Sequence, residues 1–212
     1  MNSWMLTAGG KEYHLCGSGV WTNTFDIHTV AHSLAQINRF TGHASRPYSV
    51  AEHSLLCADI AERMQLPPVE QYAALMHDGH ESYVGDVSSP AKIAIGQGWN
   101  EFEATHARDF RRHFGLTTVF VGARLRLRRI DLIALATERR DLTPWNPEIH
   151  EEWPILDTPG QVIPPADWVD LRQSRRMNKS WEEWRDEFVE RYTQLRAANA
   201  LDFQQRFAGD AS

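Results

Sequence analysis

Val69-Glu70-Gln71-Tyr72-Ala73-Ala74-Leu75-Met76-His77-Asp78 is the stretch whose reading decides the architecture. Val69, Tyr72, Ala73 and Met76 fall at i, i+3, i+4 and i+7, which lines them along one buried stripe of an α-helix. Pro67-Pro68 opens that helix, since proline is preset for the first turn and has no amide to leave unpaired there. The stripe leads straight into His77 and Asp78, two groups that cost free energy when desolvated without a partner. A cation would supply one. Taken alone, such a pair also fits a capped helix end or a hydrogen-bonded core histidine.

Working outward, Ser49-Val-Ala-Glu52 has the form of a capping box, in which each side chain satisfies an orphan amide, and it predicts a helix to about Met64. Upstream, Ile27, Val30, Ala31, Leu34 and Ile37 sit near helical spacing and predict a first core helix from Ile27 to Phe40. Residues 4–15, two short mixed runs around Gly9-Gly10, read as a peripheral hairpin. Downstream, Gly85, Ser88-Ser89-Pro90 and Gly96-Gln97-Gly98 predict an irregular segment, followed by helices near 99–114 and 122–141. Prolines 144, 147, 154, 159, 164 and 165 mark a loop-rich excursion. Ser180-Trp-Glu-Glu183 is a second capping box, and Trp181, Trp184, Phe188, Tyr192 and Leu195 give a closing helix its apolar face. The expected fold is all-α, a helical bundle with a small N-terminal β-hairpin. One domain spans 1–212, with a core at about 27–140 and a proline-rich C-terminal extension ending in a helix.

The composition suits this. A chain of 212 residues can bury one sizeable core, and 42% hydrophobic with 24% charged residues excludes collagen-like and disordered classes. A net charge of -6 argues against a nucleic-acid polymer as partner, because displacing counterions from phosphates takes an excess of Lys and Arg. Arg124, Arg126, Arg128 and Arg129 spread around a helix and read as a solvated face. Cys16 and Cys57 have no paired metal spacing and read as packed thiols in a reducing compartment. With no basic leader before an apolar run and no long uncharged apolar stretch, a cytoplasmic protein free of membrane is expected.

Two further residues bear on His77 and Asp78. His53 lies in the first turns of the capped helix, and Asp131 sits within Ile130-Asp-Leu-Ile-Ala-Leu-Ala136, a segment apolar enough for the core. Two imidazoles and two carboxylates on packed helices can hold a divalent metal from a rigid frame and leave positions open for water and substrate. Mixed nitrogen and oxygen ligation suits cobalt, manganese, zinc, iron, nickel or magnesium better than a thiolate-seeking ion.

The order His53, His77-Asp78, Asp131 resembles the H…HD…D signature of HD-domain phosphohydrolases. Ser49-Val-Ala-Glu-His-Ser54, Ala74-Leu-Met-His-Asp78, Gly85-Asp86 and Pro90-Ala-Lys92 are similar to stretches of bacterial HD 5'-deoxynucleotidases and phage-type dATP triphosphohydrolases, over roughly residues 27–140. The resemblance implies an HD-domain helical bundle and a metal-dependent enzyme that removes phosphate from 2'-deoxynucleoside 5'-mono- or triphosphates. It implies that Glu81 orders the attacking water and that Asp86 is a second acid. Four residues after His77, Glu81 would face the metal ligand on a continuing helix. Arg39 resembles the phosphate-binding arginine, followed here by Phe40 where tryptophan is usual, and Lys92 would add a point charge. His80 reads as a local or outer contact of the site, and His32 and His43 as structural. The partner expected is a small-molecule nucleotide, with a homo-oligomer left open. The alternatives are an alarmone hydrolase or other HD-type phosphodiester or pyrophosphate hydrolase, and a catalytically silent nucleotide-binding regulator. Against the alarmone reading, Ser82 stands where a further acid would follow Glu81.

Overall fold

A computed structural model describes residues 3–209, with side chains through residue 204. Among these residues eleven α-helices make up the fold, and the one sheet is an antiparallel hairpin of β1 (Trp4–Leu6) and β2 (Glu12–His14), as expected. Trp4 pairs with His14, Met5 with Tyr13 and Leu6 with Glu12. The hairpin is less peripheral than its sequence suggests. Tyr13 is buried, stacks on Tyr83 with ring centroids 4.0 Å apart, and its hydroxyl lies 2.8 Å from His106 Nδ1.

Helix α1 (Ile27–Leu34) starts where the Asp26 carboxylate accepts from the amides of His28 and Thr29, each at 3.1 Å. It ends six residues short of the expected Phe40. There the chain turns back on itself, with Arg39 N donating to Tyr48 O at 2.9 Å and Val50 N to Ile37 O at 2.9 Å. These long-range bonds take up the Arg39 amide and the Ile37 carbonyl, groups that a longer helix would need. Residues 39–42 form a tight 3-10 turn in which Phe40 (φ 56°) and Thr41 (φ 54°) both adopt the left-handed conformation.

Helix α2 (Val50–Arg63) runs through the middle of the molecule and packs against α3 (Pro68–Leu75), α8 (Arg124–Leu142) and α11 (Trp181–Gly209). Ser49 Oγ accepts from Glu52 N at 3.2 Å, half of the expected box. The Glu52 carboxylate turns away from Ser49 and is fully buried between Arg46 (2.7 Å) and Arg176 (2.9 Å). Losing one partner of such a buried group costs about 3–5 kcal/mol.

After α3, residues 76–80 form turns with amides bonded three residues back: Gly79 N to Met76 O at 3.1 Å and Glu81 N to Asp78 O at 2.9 Å. Helix α4 (Glu81–Val84) then begins afresh, so His77 lies in the turn after α3 and Glu81 does not follow it on the one continuing helix that the sequence predicts. Gly79 makes the tight passage feasible: a Cβ there would lie 2.1 Å from Phe110 Cζ. Gly85 (φ 85°, ψ 157°) reverses the chain in a conformation that is nearly glycine's alone.

The segment expected to be irregular contains α5 (Ser89–Ile95), because Pro90 opens a helix there. Helices α6 (Gln97–His113) and α7 (Thr117–Gly122) follow, then α8. Arg124, Arg126, Arg128 and Arg129 are exposed along α8, as expected. Cys57 is buried, but Cys16 is exposed, since it follows β2 at the hairpin's edge.

The proline-rich region, with short helices α9 (Pro154–Asp157) and α10 (Ser174–Met177), is held by α8. Asp141 Oδ2 accepts from Leu171 N at 2.9 Å, and Thr137 Oγ1 from Ala166 N at 2.8 Å. Ala136, Leu156 and Ile163 make a small second core. Ser180 and Glu183 form the reciprocal capping box at the start of α11, at 2.7 and 3.3 Å. Trp184, Phe188 and Leu195 are buried against the bundle. No helix of the described residues is long and apolar enough to cross a membrane.

Candidate metal centre

The four sequence-selected donors meet at one point. His53 Nε2 lies 3.3 Å from His77 Nε2, 3.4 Å from Asp78 Oδ2 and 3.7 Å from Asp131 Oδ1. His77 Nε2 lies 3.1 Å from Asp78 Oδ2 and 3.9 Å from Asp131 Oδ1. Ligand atoms held about 2.0–2.2 Å from one small cation are themselves roughly 3–4 Å apart. α2 supplies His53, the turn after α3 supplies His77 and Asp78, and α8 supplies Asp131. The His53 side chain is fully buried and that of Asp131 is 27% exposed, so the cluster has a closed wall and an open side.

The outer hydrogen bonds fix which imidazole atoms face inward. His77 Nδ1 lies 2.8 Å from Ala74 O, a carbonyl that can only accept, so that nitrogen carries the proton. His53 Nδ1 lies 2.5 Å from Glu138 Oε1. Burial opposes ionisation of Glu138, yet Arg39 and His53 hold its pKa at about 2, so it too acts as acceptor. With both Nδ1 atoms fixed as donors, displacement of the Nε2 protons by a bound cation would turn two Nε2 lone pairs toward each other and toward two carboxylates. A divalent cation answers that arrangement, and the residues present fit one. Burial also works against Asp78, but His77 and His53 keep its carboxyl well below the ordinary range.

Around the donors, Glu81 is buried and its Oε2 has no hydrogen-bond partner among the described residues. Burial, then Asp78 and Asp86, push its pKa well above that of an ordinary glutamate, against Arg39 and Lys92. The Asp86 carboxyl is raised as well, by burial and then by Asp78, against the pull of Arg39. Lys92 Nζ sits 2.6 Å from Glu103 Oε1 and 3.8 Å from Glu81 Oε1. Arg39 reaches Glu138 at 3.0 Å and Asp78 at 3.7 Å, and its buried Nε has no hydrogen-bond partner among the described residues. The Phe40 ring centroid lies 5.7 Å from that guanidinium. His80 Nε2 is 3.6 Å from Glu103 Oε1. His32 packs edge-on to Trp181, and His43 is exposed.

Three residues of the site escape the sequence reading as site residues. Glu138 is one, although it lies seven residues after Asp131 and hence on the same face of α8. Glu103, on α6, approaches from a distant part of the chain to pair Lys92 and His80. Cys57 is the third. His53, Cys57 and His77 form one group of closely spaced ligand atoms, and His80, Glu81 and Glu103 form another.

No protein-family model matches the chain. Over 156 residues, 73% of this chain and 79% of the relative, it is 35% identical to the uncharacterized protein YfdR of Escherichia coli (strain K12). Over 98 residues, 44% of this chain and 50% of the relative, it is 38% identical to the uncharacterized protein RCAP_rcc00048 of Rhodobacter capsulatus.

Proposed function

The chain belongs to the family of Escherichia coli YfdR, and we propose that it is a metal-dependent phosphohydrolase of the HD type that removes phosphate from 2'-deoxynucleoside 5'-mono- or triphosphates. The observation that carries this reading is the pair of inward-facing Nε2 atoms 3.3 Å apart, backed by Glu138 and Ala74 and facing Asp78 and Asp131. Bound by those four side chains, a divalent metal would supply a Lewis acid that lowers the pKa of water and polarises a phosphoryl oxygen.

The remaining residues divide the work of phosphate hydrolysis. Glu81, with a raised pKa and a free buried oxygen, is suited to take a proton from the attacking water. Asp86, raised in the same direction, lies within electrostatic reach of Asp78 and Lys92 and can share that proton. Arg39 offers a planar fork to phosphate, and its anchoring by Glu138 fixes the guanidinium before substrate arrives. Lys92 adds charge beside Glu81, steadied by Glu103. The left-handed Phe40 and Thr41, each costing about 1–3 kcal/mol, are the kind of backbone strain that clusters at ligand sites. They set the Phe40 ring beside Arg39 as an apolar wall for a sugar or base.

The test is a panel of deoxy- and ribonucleoside mono-, di- and triphosphates with manganese, cobalt or zinc, each product identified. Metal-dependent release of inorganic phosphate or triphosphate from a deoxynucleotide is expected. Release from none of the panel with any of the metals would overturn the proposal.

A further inference from the structure

Cys57 has no part in the chemistry above, yet it sits at the same centre. It lies four residues after His53 on α2, which puts both side chains on one face of that helix, and both are fully buried. Its Sγ is 3.6 Å from His53 Nε2, the nitrogen that also faces His77, Asp78 and Asp131. His53, Cys57 and His77 each offer one ligand atom, and these atoms lie within 4.8 Å of one another. A zinc–sulfur bond of about 2.3 Å beside a zinc–nitrogen bond of about 2.1 Å, at a tetrahedral angle, sets sulfur and nitrogen roughly 3.6 Å apart.

We infer that Cys57 is a fifth ligand of this centre, bound as the thiolate. It gives a donor set of two imidazoles, two carboxylates and one sulfur, and biases the site toward thiophilic divalent ions such as zinc, cobalt and ferrous iron over magnesium and manganese. The inference rests on the metal centre of the proposed function and deepens it. Carboxylate and imidazole alone discriminate weakly among these ions, whereas a soft sulfur donor favours the thiophilic ones. As the metal–sulfur bond forms, the thiol proton leaves to solvent. A cysteine that merely fills the core would put its sulfur against apolar atoms. This one faces the nitrogen on which the other donors converge.

The experiment uses the whole chain, stripped of metal and reloaded with cobalt(II) or zinc(II). The cobalt form is expected to show a near-ultraviolet sulfur-to-cobalt charge-transfer band that disappears in Cys57→Ser and Cys57→Ala. X-ray absorption of the zinc form is expected to need one sulfur neighbour at about 2.3 Å. Zinc affinity should fall at least about tenfold in Cys57→Ser while manganese affinity changes less than about twofold, since only the soft donor is lost. The zinc spectrum of the unaltered protein reads the bond directly, whatever the variants do to folding. Stoichiometric cobalt and zinc with neither the band nor the sulfur neighbour would overturn the inference and leave the four-donor centre standing. If no divalent metal binds at all, both fall.

Discussion

Glu138 Oε1 lies 2.5 Å from His53 Nδ1, and this contact decides which nitrogen of His53 faces the other donors. Glu138→Gln replaces an obligate acceptor with an amide that can also donate, so the imidazole is free to present the wrong tautomer. Affinity for zinc or cobalt is expected to fall about 10–100-fold, the usual cost of losing an outer-shell partner. Competition with a chromophoric chelator measures it; affinity equal to that of the unaltered protein would remove Glu138 from the centre.

His77→Ala and Asp78→Ala should each lose bound metal together with nearly all turnover, since either change removes a donor and leaves its neighbours mispaired. Elemental analysis of the purified variants is the check. Full metal content with normal activity in both would mean that the ion sits elsewhere.

For Glu81→Gln the expectation separates binding from chemistry. The side chain keeps its size but cannot take a proton, so metal content and nucleotide affinity should hold while kcat falls by about two to four decades. Asp86 can soften the loss, and Glu81→Gln combined with Asp86→Asn should then fall further. Turnover at the unaltered rate in Glu81→Gln would move the proton-accepting role elsewhere; loss of metal would make Glu81 a ligand.

Gly79→Ala is expected to destabilise the fold by about 1–3 kcal/mol, the range for overpacking a tight interior, because the new Cβ would lie 2.1 Å from Phe110 Cζ. Phe110→Ala in the same chain opens the space and should recover part of the loss. Urea unfolding of both variants tests this, and an unchanged midpoint in Gly79→Ala would show that the turn yields freely.

The Glu103 carboxyl is brought from 4.5 to about 2 by His80 and Lys92, against the effect of its own burial. A depressed folded pKa contributes stability that is fully present above 4.5 and is lost as pH falls toward 2. The stability difference between the unaltered protein and Glu103→Gln should therefore be largest near neutral pH and narrow through that window. Unfolding curves at several pH values decide it; a constant gap would mean that Glu103 titrates alike in both states.

Local signals in the sequence were the legible ones. The Ser180 box, the Pro68 start and the stripe of Tyr72, Ala73 and Met76 depend on a few neighbouring residues and form as their patterns indicate, with Val69 half-buried at the stripe's beginning. The end of α1 was hidden because the Arg39 amide and the Ile37 carbonyl are taken up by Tyr48 and Val50 in a chain reversal that no helical pattern encodes. Helix α5 was hidden because Pro90 reads as a breaker until the residue before it is known to start a helix. His77, Asp78 and Asp131 could be picked out as polar groups beside apolar helical stretches, and His53 by its place on the capped helix and in the H…HD…D order. Glu138 could not, since Arg139 and Arg140 beside it give the stretch the composition of a solvated face. Glu103 is joined to Lys92 only by the packing of α5 on α6.

The two arginines on Glu52 come from opposite ends of the chain: Arg46 precedes α2, and Arg176 follows the proline-rich excursion. A gene trimmed after residue 145, just past the recognisable motifs, would encode every proposed metal donor and yet leave Glu52, one residue before His53, with Arg46 alone of these two arginines. Anyone designing a minimal catalytic fragment or a fusion boundary from motif coverage alone would remove one of the two cations that hold this buried carboxylate. The economical unit to express, transplant or evolve is the stretch through α11, and tolerance of insertions should be sought in the exposed turns between 146 and 152.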